Sequence, residues 1–250
     1  AYTVLARRYR STSFGGVVGQ EPIAQTLRNA IAYNRVAHAY LFCGTRGDGK
    51  TSMARIFARA LNAPDTIPDA LKTMEEPPAH VKFILATTEP HKVPPTIQSR
   101  CQRFDFRNIP VAGIAGHLRE VLAKEKIEAD DEVVFQVARL ANGSMRDALS
   151  LLDRLIATGQ SPLNRRTLEE MFGLPDRELV VGLVDAIADG DIKATLERTA
   201  DLLMRGIGQD QLVDVLIDRL RQLMLIAACG AESELVELSE DARAAAAAQA

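Results

Sequence analysis

A glycine-rich octapeptide constrains the fold of this chain more than any other segment. It follows the pattern G-x-x-x-x-G-K-[ST], in which x is any residue, and it runs Gly44-Thr45-Arg46-Gly47-Asp48-Gly49-Lys50-Thr51. In this pattern the glycines let backbone N–H groups turn inward around phosphates, the lysine places a positive charge at the outer phosphates, and the threonine offers a hydroxyl to Mg²⁺. The octapeptide therefore predicts a P-loop that binds a nucleoside triphosphate.

The flanking segments supply the strand and the helix that a P-loop needs. Ala39–Cys43 is a short apolar run typical of a buried parallel strand, and the segment from Ser52 to Leu61 carries its apolar residues at helical spacing. A glycine-rich turn without a ligand would not require this order of strand, loop and helix. Asp48 is an unusual neighbour for phosphate oxygens. We expect its side chain to point outward while its N–H points in, which would weaken affinity at most.

Composition limits the class of protein. The chain has 250 residues, a hydrophobic content of 47% and a net charge of −3, so we expect one good core or a few small ones, and only local contact with nucleic acid. The apolar runs fall far short of the roughly 20 residues that span a bilayer, and residues 1–10 are too polar and basic for a signal peptide. This predicts a cytoplasmic protein with no membrane partner. Three cysteines without C-x-x-C spacing indicate neither a disulfide framework nor a zinc site.

The organisation of the chain changes near residue 109. The first part is α/β, with a second apolar strand predicted at 81–86. From Pro110 onward the pattern is helical, with predicted helices at 112–126, 131–141, 145–157, 166–172, 177–188, 191–205 and 210–228. The last of these has one wide apolar face, formed by residues 212, 213, 216, 217, 220 and 223, which we expect to pack in a bundle. The alanine-rich segment 242–250 is expected either to fray or to be cut short of a natural end.

Three further polar residues are candidates for contact with the nucleotide. Thr87 ends a predicted strand, where its hydroxyl could position water or could equally satisfy its own backbone. Arg100 lies in the loop Ser99-Arg100-Cys101 after two prolines, as an arginine finger would, although a surface arginine is the default interpretation. Arg146 follows Gly143 and the predicted helix cap Ser144. In the first turn of a helix it opposes the helix dipole, so an anionic ligand would be a favourable partner.

Taken in order, these motifs resemble the AAA+ core of bacterial clamp-loader ATPases of the DNA polymerase III tau/gamma type, over most of the chain. Residues 2–20, with Arg10 and Val18, are similar to the segment that cradles the adenine, and residues 71–78 to an L-K-x-x-E-E-P-P segment. The strand end at Thr87 resembles sensor 1. Arg100 matches the S-R-C arginine that reaches the ATP of an adjoining subunit. Arg146 matches the sensor 2 arginine that contacts the phosphates of its own ATP.

The resemblance implies a three-part body: an α/β P-loop (AAA+) nucleotide domain at 1–108, an all-helical lid at 109–173 and a helical collar that oligomerises at 174–250. It implies ATP and Mg²⁺ as cofactors, with Thr51 touching the metal. The residues implied in catalysis are Lys50, Thr51, Thr87 and Arg100. Those implied in nucleotide binding are Arg10, Val18, Gly44, Thr45, Arg46, Gly47, Asp48, Gly49, Lys50, Thr51, Ser52 and Arg146.

The implied function is to couple ATP binding and hydrolysis to the loading of a sliding clamp on primed DNA during replication. The implied partners are other clamp-loader subunits of the delta and delta-prime type, the sliding clamp and primer-template DNA. Hydrolysis on DNA, triggered partly by Arg100 of a neighbouring subunit, would release the clamp.

The chain departs from the family pattern between residues 62 and 69. The family has a cysteine-rich zinc module and a strand ending in the Walker B acidic pair, whereas this chain has only Ala63-Pro64-Asp65-Thr66-Ile67-Pro68. We therefore expect no zinc ligands, ATP binding with poor hydrolysis, and strands at 40–43 and 81–86 without their usual neighbours. Two alternatives stay open: a non-hydrolysing ATP-binding scaffold of the same assembly and, with less support, a branch-migration AAA+ motor, which should end in a winged helix.

Overall fold

The computed structural model describes residues 3–61, 81–233, 235–236, 238 and 240–250. The chain divides into two compact units, Ala1–Val121 with Val137–Arg154 (unit 1) and Leu122–Gln136 with Leu155–Ala250 (unit 2). The domain boundaries 1–108, 109–173 and 174–250 stay a prediction. The shortened segment at 62–69 and the match at 71–78 lie outside the described residues. No helix in the described ranges has both the length and the hydropathy to cross a membrane.

Unit 1 is built on a parallel sheet whose middle strand is fully buried. Its strands are β1 (Ala39–Cys43), β2 (Phe83–Thr87) and β3 (Gln102–Asp105), in the order β2-β1-β3. All five residues of β1 are buried, whereas every residue of β2 and β3 is partly or fully exposed. A strand covered on both faces requires a continuous apolar run, and this is why the sequence predicted β1 correctly.

The sheet departs from the sequence-based prediction in two respects. No strand was predicted at residues 102–105, although Arg103 to Phe106 alternate between polar and apolar residues as β3 requires. We also expected both β1 and β2 to lack their usual neighbours. This is wrong for β1, which pairs in parallel with a strand on each side. β2 pairs with β1 alone among the described strands. β2 begins at Phe83 and ends at Thr87, so it is shifted toward the carboxyl end of the predicted segment 81–86.

Helices α1 (Leu5–Arg8), α2 (Glu21–Ala32), α3 (Lys50–Ala60) and α4 (Pro95–Gln98) belong to the same unit. Met53 and Phe57 of α3 join Tyr40 and Phe42 of β1 in one buried cluster. The Phe57 and Tyr40 rings meet edge to face, with their centroids 4.8 Å apart. This packing fixes α3 against β1 and so holds both ends of the loop between them.

From residue 111 onward the described elements are helices, as the periodicity predicted. They are α5 (Val111–Glu125), α6 (Asp131–Leu140), α7 (Met145–Ile156), α8 (Arg165–Phe172), α9 (Arg177–Ala188), α10 (Ile192–Met204), α11 (Gln209–Cys229) and α12 (Glu240–Ala247). The starts of α8, α9 and α10 are capped by Asn164, Asp176 and Asp191, whose side chains accept hydrogen bonds from backbone N–H groups.

The alanine-rich segment at the end of unit 2 is packed, so the expectation that residues 242–250 fray is wrong. Ala242 and Ala246 of α12 are buried in a cluster with Ile226 of α11. Beyond α12, the Gln249 side chain accepts a hydrogen bond from Arg219 Nε at 2.8 Å and donates one to the Val181 carbonyl at 3.0 Å. Small alanine side chains let the helix approach its neighbour closely, and Gln249 holds its end.

The long helix α11 does not bury the whole face that its sequence favoured. Arg219 and Gln222 are buried, whereas four apolar residues are 48% to 63% exposed: Val213, Ile217, Leu220 and Met224. Arg219 tolerates burial because the Gln249 side chain accepts hydrogen bonds from its guanidinium. This burial lowers the pKa of Arg219. The four exposed residues share one side of the helix, and we call them the α11 stripe.

Candidate nucleotide site

The P-loop lies where the sequence predicted, between β1 and α3. The helix begins at Lys50, so the free N–H groups of its first turn face the loop, an arrangement that favours anions. Gly47 has a φ of +85°, and a Cβ added to it would lie 1.9 Å from Ser144 Oγ. Only glycine fits this position. The absence of a side chain lets the loop close around a phosphate.

A cavity of about 790 Å³ opens in front of the P-loop, within unit 1. Its volume lies in the range of small-molecule and cofactor sites. Its lining includes many of the residues predicted from the sequence to bind the nucleotide: Arg10, Val18, Gly47, Asp48, Gly49, Lys50, Thr51, Ser52 and Arg146. The structure therefore brings together the N-terminal segment, the P-loop and the arginine matched to sensor 2.

The cavity lining is strongly cationic. Arg10 donates a hydrogen bond from Nε to Ser52 Oγ at 3.0 Å. Burial, and then repulsion from Arg55 and Arg146, lowers the pKa of Arg10. Among the described residues that line the cavity, Asp48 is the only one with an acidic side chain. Cations crowded in this way repel one another, so a polyanion is the ligand that the cavity favours.

Three ionisable residues on helices line the cavity although the sequence did not predict them: Arg55, Arg59 and His117. Arg55 and Arg59 follow Thr51 at intervals of four residues on α3, so they share a helical face with it. That spacing is a signal that could have identified both arginines. His117 comes from α5 and has no comparable signal, because only the tertiary fold brings it to the cavity.

Lys50 is held by its own loop. Its Nζ donates to the carbonyl of Gly44 at 3.1 Å, donates to the carbonyl of Thr45, and forms a 2.8 Å ion pair with Asp48 Oδ1. Asp48 is only 1% exposed. The expectation that its side chain points outward is therefore wrong, because the carboxylate turns back beneath the loop toward the lysine.

The loop that carries Arg146 is joined to the P-loop through Asn108. Thr45 Oγ1 bonds to Asn108 Oδ1 at 2.7 Å, and the Gly143 backbone packs so closely on Asn108 that a Cβ there would lie 2.6 Å from Asn108 Cβ. Ser144 Oγ accepts a hydrogen bond from the Asp147 N–H at 3.2 Å, which confirms the predicted cap of α7. Arg146 lies in the first turn of that helix, as predicted.

Thr87 and Arg100 do not line this cavity. Thr87 ends β2, and its Oγ1 accepts a hydrogen bond from the Glu89 N–H at 2.9 Å, the local arrangement that the sequence left open. Arg100 is exposed and donates from Nη1 to the Thr96 carbonyl at 2.6 Å. Gly44, Thr45 and Arg46 complete the P-loop outside the cavity lining. In the part of the chain that the structure describes, no three His, Cys, Asp or Glu side chains are placed to hold a metal ion together.

The fold and the site together define a P-loop nucleotide-binding protein of the AAA+ class, followed by helical lid and collar elements. Solved structures of this class share the fold. The Thermotoga maritima RuvB Holliday junction branch migration motor aligns with a TM-score of 0.56, covering 80% of this chain and 92% of that chain at 18% sequence identity. At this level of identity the likeness concerns the fold alone.

Three family models of DNA polymerase III match successive parts of the chain. The delta subunit model matches residues 19–70 and 65–110, the clamp loader ATPase lid domain matches 113–161, and domain III of subunits gamma and tau matches 163–250.

Curated relatives agree with these models. The tau subunit of Salmonella typhimurium is 31% identical over 95% of this chain and 48% of its own length. The tau subunit of Bacillus subtilis is 33% identical over 96% of this chain and 55% of its own length. The gamma subunit of Buchnera aphidicola subsp. Schizaphis graminum is 30% identical over 77% of this chain and 72% of its own length. The chain belongs to the tau/gamma subunit family of the DNA polymerase III clamp loader. It spans about half the length of the tau subunits it matches.

Replacing Gly47 should test the close packing of the P-loop. We expect Gly47→Ala to lower the free energy of unfolding by about 1–3 kcal/mol, because the new Cβ meets Ser144 and the positive φ is strained. Urea unfolding followed by circular dichroism measures the loss. The control is Gly116→Ala within α5, where a Cβ meets nothing within 4 Å and should be neutral or slightly stabilising. Equal stability of the two variants would contradict the described packing.

Proposed function

We propose that this chain is the ATP-binding motor portion of a clamp loader, which couples ATP binding and hydrolysis to the loading of a sliding clamp on primed DNA. The observation that carries the proposal is the cavity in which Lys50, Arg10 and Arg146 converge beside the P-loop of a tau/gamma family member. A triphosphate carries the concentrated negative charge that such a cavity favours.

The residues of the cavity fit ATP carried with Mg²⁺. The glycine turn and the first N–H groups of α3 would hold the phosphates, Lys50 would pair with the outer phosphates, and Thr51 would offer its hydroxyl to the metal. Val17 and Val18 add an apolar wall that suits the base. The metal would supply further neutralisation of the phosphate charge.

We propose that α7 responds to the nucleotide through Arg146. Arg146 would contact the outer phosphates from the first turn of α7, and the contacts from Thr45 to Asn108 and from Asn108 to Gly143 would carry a movement of the P-loop to the same helix start. A loop with two discrete arrangements is a common basis of nucleotide-dependent switching. In this proposal the movement of α7 is what lets the assembly grip and open the clamp.

Arg100 is proposed to act on the ATP of a neighbouring subunit. Its exposure and its position outside the cavity of its own chain support a role in trans. A planar guanidinium can neutralise charge on a transferring phosphoryl group, and an arginine finger delivered by a partner can do so only in the assembly. Thr87, at the carboxyl end of β2, keeps its proposed role in positioning water near the γ-phosphate.

The α11 stripe supports assembly with other subunits. Large apolar residues that share one exposed helical face mark a protein interaction site more often than scattered single residues do. We propose that this face of the predicted collar packs against other clamp-loader subunits, of the delta and delta-prime type or further copies of this chain. The sliding clamp and primer-template DNA complete the proposed set of partners.

A non-hydrolysing scaffold of the same assembly is the alternative, and one observation favours it for this chain. The match to the Salmonella typhimurium tau subunit is 309 residues long, although it covers only 95% of a 250-residue chain, so the relative has several tens of residues without a counterpart here. The two matches of the delta subunit model meet at residues 65–70, near the predicted loss of the zinc module and the Walker B strand.

Loss of a carboxylate that orients the attacking water would slow hydrolysis by about 10²–10⁴-fold. DNA-stimulated ATP turnover in the presence of partner subunits decides between motor and scaffold. The branch-migration alternative has only the shared fold in its favour.

Substituting Lys50 tests whether the P-loop binds ATP. We expect Lys50→Ala to abolish ATP binding, because it removes the charge that faces the outer phosphates, and equilibrium titration with a fluorescent ATP analogue measures this. Lys92→Ala is the matched control, since Lys92 is exposed and pairs only with exposed Glu89 in the described structure. Undiminished binding by Lys50→Ala would contradict the assignment of the site.

Substituting Arg100 tests the proposed role in trans. We expect Arg100→Ala to leave ATP binding by the isolated chain unchanged and to reduce turnover only in the assembled oligomer, as ATPase assays on both forms would measure. Arg103→Ala is the control, because Arg103 is an exposed arginine that pairs with Asp105. Weakened ATP binding by isolated Arg100→Ala would show that Arg100 acts on its own chain.

A charge in the α11 stripe should weaken assembly. We expect Leu220→Asp to reduce association with partner subunits at least tenfold, because burying an unpaired carboxylate in an apolar interface is costly. Analytical ultracentrifugation of mixtures measures the association. Arg221→Ala, on the neighbouring exposed position, should leave it unchanged. Association unaffected by Leu220→Asp would place the interface elsewhere.

A further inference from the structure

All three N–H donors of the Lys50 ammonium group are already used in hydrogen bonds within the loop. A lysine ammonium has three N–H donors, and the structure gives Lys50 three acceptors, the carbonyls of Gly44 and Thr45 and the Asp48 carboxylate. The lysine is 6% exposed. Lys50 can therefore reach a phosphate only by giving up part of this set.

The Asp48 carboxylate fills a space that exists because residue 44 is a glycine. A Cβ at Gly44 would lie 2.2 Å from Asp48 Oδ2, so the glycine provides the space that the carboxylate fills. Oδ1 accepts hydrogen bonds from both Nζ and the backbone N–H of Lys50, at 2.8 Å and 3.3 Å. Oδ2 is buried and has no hydrogen-bond partner among the described residues. The carboxylate therefore depends on Lys50 for its stabilisation.

Transfer of Lys50 to a phosphate would separate a buried ion pair. A buried carboxylate that loses its cation is strongly destabilised, and here it would also lie close to an anionic ligand. Asp48 cannot pair with another cation without a rearrangement, because its second oxygen is buried beside Gly44 without a hydrogen-bond partner among the described residues. Both costs reduce the affinity of the site for nucleotide phosphates.

We propose that Asp48 competes with nucleotide phosphates for Lys50, so that it lowers the affinity of the site and speeds the release of bound nucleotide. The inference rests on the proposed function, since it assumes that the P-loop binds ATP. When the phosphates leave, Lys50 returns to Asp48 and the loop regains the arrangement described above. The residue at this position is thus an affinity determinant supplied by the loop itself.

The variant Asp48→Asn tests the competition directly, because it removes the charge and keeps the shape and one acceptor oxygen. With the 250-residue chain, a fluorescent ATP analogue and Mg²⁺, we expect binding roughly tenfold tighter than for the unmodified chain and correspondingly slower dissociation in stopped-flow chase. Asp105→Asn is the matched control. It likewise removes the charge of an aspartate in an ion pair of unit 1, the pair of Asp105 with Arg103. Asp105, however, is exposed and does not line the cavity.

A second variant, Asp48→Val, removes every polar atom of the side chain and should also bind more tightly than the unmodified chain. Circular dichroism verifies that each protein is folded. If folded variants bind ATP no more tightly than the unmodified chain, the competition is wrong and the proposed function stands. If neither the unmodified chain nor the two variants bind ATP, the competition and the proposed function are both wrong. Tightening by Asp105→Asn to the same degree would also overturn the inference, because the effect would then be one of net charge.

Discussion

The burial of β1 in the middle of the sheet is the constraint on which the nucleotide site depends. β1 is covered on both faces and paired on both edges, so the position and direction of its carboxyl end are fixed. The ring contact between Tyr40 and Phe57 then fixes α3. A loop held at both ends can keep the left-handed backbone of Gly47 and the buried side chain of Asp48, because the packing around it compensates for the entropy and desolvation that they cost.

The charge distribution explains how a chain with a net charge of −3 can favour a polyanion. Seven of its lysine and arginine side chains line one cavity. There burial, and then repulsion from Arg55 and Arg146, lowers the pKa of Arg10. Asp48 opposes them from beneath the loop. In the proposed function a triphosphate relieves the repulsion among the arginines, whereas it has to compete with Asp48 for Lys50. The balance of these two effects sets how tightly the site holds a nucleotide.

The helices were predictable from the sequence because their signal is local. Each of α5 to α11 begins and ends within one residue of its predicted segment, since helical spacing of apolar residues and caps such as Asn164 and Asp176 lie within the segment itself. β3 was missed because it is short and mostly exposed, so it lacks the apolar run that identified β1. The buried side of α11 was predicted only in part, because Arg219 is buried through Gln249, thirty positions further along the chain.

The sequence by itself determined the P-loop, the order of strand, loop and helix around it, and the cap that places Arg146 in the first turn of α7. Each of these depends on residues within a few positions of one another. Only the tertiary structure decided that Arg10 bonds Ser52, that Thr45 bonds Asn108, and that the α11 stripe stays exposed. These two hydrogen bonds join residues that lie 42 and 63 positions apart in the sequence. Burial and pairing at that separation depend on how whole elements pack, which no local pattern encodes.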